Sequence, residues 1–90
     1  MPKNLYEMYC VKDTVADNFL EPLFVNNEAQ AKRWFASNLK NIPLWSENAE
    51  QFELYRIGQW DGNLGELRGN GIKPGTAQPK FICKGSDLIG

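Results

Sequence analysis

The chain has 90 residues, of which 42% are hydrophobic and eleven are aromatic, a composition suited to one globular domain with a thin core. Ten Lys and Arg face eleven Asp and Glu for a formal charge of −1, so the whole molecule offers no electrostatic case for binding a polyanion. Histidine is absent, which excludes Ser-His-Asp and Cys-His catalysis, and two isolated cysteines cannot complete a structural zinc site, so no enzymatic activity and no cofactor are expected.

Leu5 to Val11 is rich in aromatic and strand-forming residues and predicts a first strand. Tyr6, Met8 and Cys10 share one face, the one expected to be covered. After a polar connection, Phe19 to Val25 predicts a second strand. It is placed at an edge or broken by a bulge because Pro22 has no N–H to give a ladder. Asn27 followed by Gln30 is a capping-box pattern opening a helix over about Glu28 to Lys40. Ala31, Phe35, Leu39 and Ile42 recur at helical spacing as its buried stripe, and Pro43 stops it. Ser46 is expected to cap a short turn.

Phe52 to Trp60 predicts a third strand, apolar on both faces and therefore central, with Phe52, Leu54 and Trp60 on one side and Tyr55 and Ile57 on the other. Asp61, Gly62 and Asn63 predict a turn, with Gly65 to Arg68 beginning the return. Residues 69–79 are too rich in Gly and Pro for regular structure and read as a mobile basic loop within the single domain 1–90. Lys80 to Lys84 predicts a fourth, short strand, and the last residues are expected to fray or to dock on a partner. The order β-β-α-β-β predicts an α+β domain, a small antiparallel sheet of about four strands covered by one helix. Cys10 and Cys83 are expected as reduced core cysteines in neighbouring strands.

Charge is unevenly distributed. Residues 1–53 carry five basic and eight acidic side chains, residues 54–90 five basic and three acidic, which permits a local positive patch late in the chain. Arg56, Arg68, Lys73, Lys80 and Lys84 are the candidate phosphate contacts. Tyr55 and Trp60 are candidate base-stacking rings, and Lys32, Arg33 and Trp34 extend the surface from the helix. Phe35, Phe52, Phe81 and Tyr6 read as core. Trp34, Trp45, Tyr55 and Trp60 serve equally as stacking platforms or as anchors of a homodimer.

Three segments together resemble a known family. A short strand Leu5-Tyr6-Glu7-Met8-Tyr9 opens the chain. Val25-Asn26-Asn27-Glu28-Ala29 leads into a helix with Arg33 and Phe35, and Phe52 to Asp61 has the form FELYxIGxxD, followed by a late lysine- and proline-bearing strand. This pattern resembles the small nonstructural protein of gokushoviruses, single-stranded DNA phages of the Microviridae. The resemblance implies a DNA-binding role in the single-stranded stage of viral DNA replication, inside the host bacterial cytoplasm. The longer Gly-rich stretch Gly69 to Gly75 and the lack of a dense lysine tail depart from that pattern. The leading expectation is therefore a homodimeric binder of single-stranded DNA with little sequence preference and a steep salt dependence. The rival expectation is an interaction module for a host or phage replication or packaging protein. The opening residues have no apolar signal region and no stretch approaches the roughly 18 apolar residues of a membrane span, so no membrane partner is expected.

Overall fold

The computed structural model describes residues 4–69 and 78–88. In chain order these form β1 (Leu5–Asp13), β2 (Asn18–Phe19), β3 (Leu23–Val25), α1 (Glu28–Asn41), α2 (Pro43–Glu47), β4 (Phe52–Asp61), β5 (Glu66–Gly69) and β6 (Lys80–Lys84). The two longest strands, β1 and β4, pair antiparallel at the centre. β2 and β3 follow one another along the outer edge of β1, and β5 and β6 divide the outer edge of β4. The result is a mixed α and β domain with six strands and two helices among the described residues, in place of the four strands and one helix expected. Pro22 accounts for one difference: lacking an N–H, it interrupts the predicted Phe19–Val25 strand and leaves β2 and β3 on either side. Pro43 accounts for another, since it ends α1 and then occupies the first turn of α2, where a missing N–H costs nothing. Of the expected mobile loop, Gly69 belongs to β5, and residues 70–77 lie outside the described residues.

α1 begins where its sequence says it should. The Asn27 side chain accepts from the Gln30 N–H at 2.9 Å, while the Gln30 side chain accepts from the Asn26 N–H at 2.8 Å, one residue earlier than a capping box would place it. Ser46 caps nothing; its hydroxyl donates back to the Pro43 carbonyl at 3.1 Å. The stripe Ala31, Phe35 and Leu39 is fully buried against Tyr9, Val11, Phe52, Leu54 and Cys83. Trp45 from α2 closes one end, stacked on Phe52 with ring centroids 5.0 Å apart. The main cluster of the core therefore lies on the Tyr9 and Val11 side of β1; on the face expected to be covered, Met8 and Cys10 are buried as well, while Tyr6 is only half-buried and no helix packs there. After β6 the chain makes a short turn at Gly85–Asp87 and returns Leu88 to the same core, so these residues dock on their own domain.

The register of the central pair carries the decisive irregularity. Met8 lies opposite Gly58 but Tyr9 lies opposite Arg56, which leaves Ile57 as an extra residue in β4. Such a bulge resets the alternation of side chains beyond it. Tyr55, opposite Cys10, and Trp60, opposite Tyr6, consequently share one face, although simple alternation separates them.

Gly58 sits at this bulge with a φ of 156°, and a Cβ placed there would lie 2.1 Å from the Arg68 carbonyl oxygen of β5. Gly58→Ala must push β5 away from β4, an overpacking that costs about 1–3 kcal/mol. The expected result is a lower thermal midpoint, with faster amide exchange confined to Glu66–Gly69; an unchanged midpoint would contradict this close approach. The hairpin itself is held by Asp61, whose buried carboxylate accepts from the N–H groups of Asn63 at 2.9 Å and Leu64 at 3.2 Å. The left-handed turn position falls on Gly65 (φ 68°), two residues beyond the predicted Asp-Gly-Asn.

Candidate nucleic-acid interface

Both helices pack on the Tyr9 side of the sheet; no described helix covers the other side, where Met8 and Cys10 are buried and Tyr6, Tyr55 and Trp60 are half-buried. That open face carries six aromatic rings: Tyr6, Phe19, Phe24, Tyr55, Trp60 and Phe81, placed there by cross-strand register. Phe19, Phe24 and Phe81 are 43%, 50% and 48% exposed. The rings fall into two groups. Tyr55 is flanked edge-on by Phe19 at 5.3 Å and Phe81 at 5.8 Å, and its hydroxyl donates to Glu53 at 2.8 Å. Tyr6 meets Phe24 edge-on at 6.5 Å, with Trp60 across the ladder and exposed Leu67 beyond it. Flat apolar rings on an open sheet are a stacking surface for unpaired bases.

The predicted cations are arranged differently. Arg56 lies on the helix side of the sheet, where its guanidinium donates to Glu7 at 2.7 Å, and Gln59 donates to the same carboxylate at 3.1 Å. Arg68 is bound by Glu66 at 2.8 Å and Asp61 at 3.4 Å, and the Glu66 carboxylate raises its pKa further. Lys32 pairs with Glu28 at 3.2 Å one turn away on α1, and Arg33 is exposed on the same helix. Trp34 packs edge-on against Trp45 at 6.4 Å and belongs to the core side. Lys80, opposite Arg56, also falls on the helix side. Lys73 lies outside the described residues. Among the predicted site residues, therefore, Tyr55, Trp60 and Lys84 share the open face, Tyr55 and Trp60 in different ring groups, and Arg56, Arg68, Lys80, Lys32, Arg33 and Trp34 do not join them. One further cation is there: Lys12, across from Glu53, 3.3 Å from Asp17 and 5.3 Å from the Phe19 ring centroid.

The model of the phage ORF5 protein family matches residues 6–88, from the second residue of β1 to the final turn. The chain belongs to that family. No curated protein and no solved structure matches it. What this ORF5-family protein adds to its sequence pattern is the identity of four rings that reading by residue type missed. Residue type alone puts Tyr6 and Phe81 in the core and gives Phe19 and Phe24 no role. The signal is present in β1, where Tyr6, Met8 and Cys10 are as apolar as the face that packs on α1, so neither face of this strand is predominantly polar.

The cysteines of the ORF5-family protein are free and buried, as expected, but their strands are not neighbours. Cys10 faces the open side and Cys83 the helix side, with β4 between their strands. Two strand spacings separate them by about 9.5 Å, beyond disulfide reach. Burial pushes the Cys10 thiol up to about 11, and burial also raises that of Cys83, so both remain protonated and unreactive near neutrality. Among the described residues there is no cluster of metal-ligating side chains and no helix long and apolar enough to cross a membrane.

Proposed function

We propose that this protein binds single-stranded DNA with little sequence preference through the open face of its sheet, as a binding protein and not an enzyme. The observation that carries the reading is the set of six rings on the one face of the sheet that no helix covers among the described residues. A sheet whose exposed aromatics stack two or three bases is a general solution for holding single strands, because every base has a π-face. Membership of a phage family supports a viral setting, and the resemblance to gokushovirus nonstructural proteins supports a role in viral DNA replication within the host cytoplasm. The Arg56 to Lys84 strip expected from the sequence is replaced in this reading by the rings themselves, since Arg56 and Arg68 are engaged by carboxylates.

The three tryptophans make the test direct. Only Trp60 lies on the open face; Trp34 and Trp45 pack on the core side. Added oligonucleotide should quench part of the intrinsic fluorescence, and Trp60→Phe should abolish that quenching while Trp34→Phe retains it. Quenching that survives in Trp60→Phe, or none in the native chain, would refute the reading.

The rival reading, docking of a replication or packaging protein, is favoured by one feature. Leu20, Pro22, Leu23, Trp34, Ile42 and Trp45 line a groove on the helix side, away from the rings. If substitution of Trp34 stops phage DNA synthesis while loss of Phe81 does not, this second surface is the functional one.

A further inference from the structure

Charge and rings are not evenly mixed on the open face. Lys12, Glu53 and Lys84 form one cross-strand row at the Tyr55 end. Lys12 lies over the Phe19 ring and is ion-paired with Asp17, whose side chain is 84% exposed, and such solvent-facing pairs exchange partners at little cost. The Tyr6 end has Phe24, Trp60, Leu67 and Met8 around it and, among the described residues, no cation on the same face. The nearest guanidinium in sequence, that of Arg68, is on the other side with Asp61 and Glu66.

We infer that the open face comprises two stacking subsites of unlike character: Phe19, Tyr55 and Phe81 take a base together with its phosphate, and Tyr6, Phe24 and Trp60 take a base alone. This rests on the single-stranded DNA reading above and specifies how the strand is held. Cys10 and Tyr6, which mark the two ends, are four strand residues apart in β1, about 13 Å. At the roughly 3.4 Å rise of one strand in a duplex that is about four steps, and fewer if the strand is drawn out, so three to five nucleotides reach from one subsite to the other. Most of the binding then comes from ring contact, and among the described residues Lys12 and Lys84 are the cations that release counterions. Two phosphate contacts on a single strand give a slope of log affinity against log salt of about −1.4, far shallower than a phosphate-led interface would show. The steep salt dependence expected from the sequence is replaced by this value.

The experiment is a titration of labelled oligothymidylates of two, five and ten nucleotides at several salt concentrations, read by anisotropy. The five- and ten-nucleotide strands should bind comparably and the two-nucleotide strand distinctly more weakly, with the shallow slope. Lys12→Gln combined with Lys84→Gln should bring the slope close to zero. Phe24→Ala should weaken the five-nucleotide strand by roughly 5- to 150-fold at every salt concentration and leave the slope unchanged. Phe24→Leu, which keeps apolar bulk on the edge strand but removes the ring, should do the same with the fold intact. If the ten-nucleotide strand binds but with a slope of about −4 or steeper, or if neither Phe24 variant changes the affinity, the two-subsite arrangement is overturned while DNA binding stands. If no strand binds at low salt and sedimentation shows two copies of the chain associated through this face, DNA binding and the subsites fall together.

Discussion

Phe35→Ala should leave little folded protein at ambient temperature. Phe35 is fully buried at the centre of the α1 stripe, with Trp45 edge-on at 6.0 Å and the sheet beneath it. Removing a buried phenylalanine costs about 3–5 kcal/mol, because the lost transfer energy is joined by the cavity left behind. A domain of this size has a total stability near the lower end of about 5–15 kcal/mol, so the substitution consumes most of it. The other buried residues of the helix cannot fill the space: Ala31 is small, and Leu39, itself fully buried, packs against Gly85 at the far end. Chemical denaturation followed by circular dichroism would measure the loss, and a midpoint close to that of the native chain would show that the core is not centred on α1.

Phe81→Ala should have the opposite profile. The ring is 48% exposed on the open face and touches Tyr55 from one side only, so its removal opens no cavity. Stability should fall by well under the cost at Phe35. Affinity for a single-stranded oligonucleotide should fall by about 1–3 kcal/mol, the usual contribution of one stacking ring, or roughly 5- to 150-fold. Equilibrium binding, with the thermal midpoint measured in parallel, checks both halves. Unaltered binding by a folded Phe81→Ala protein would remove this ring from the interface; a large loss of stability would return it to the core.

The contrast between these two phenylalanines explains where the sequence was readable. Phe35 lies in a long stretch with helical spacing, a capping asparagine before it and a proline after it, and each of those signals acts within a few residues. The same local logic located β1, β4 and β6 and the edge position of the segment around Pro22, though not its division into two strands. Phe81 lies in a strand of five residues, too short for its alternation to tell an inner face from an outer one. Trp60 was assigned to the wrong side for a related reason. One extra residue at Ile57 inverts the pattern of β4 beyond it, and nothing in FELYRIGQWD apart from Gly58 marks the place.

Charges were the least legible feature. Five basic residues in the later part of the chain suggested a continuous strip, yet Arg56 finds Glu7 from a strand 49 residues earlier, and Arg68 turns to the acids of its own hairpin. Whether a cation meets phosphate or carboxylate depends on which strands become neighbours, and β1 lies beside β4 only after the chain has crossed α1. Short-range chemistry thus specified the helix and its ends, the central strands, the hairpin turn and the absence of any histidine-based catalysis. Strand pairing, and the single bulge within it, selected which rings face water and which cations are already neutralised, because both depend on contacts between residues far apart in the chain.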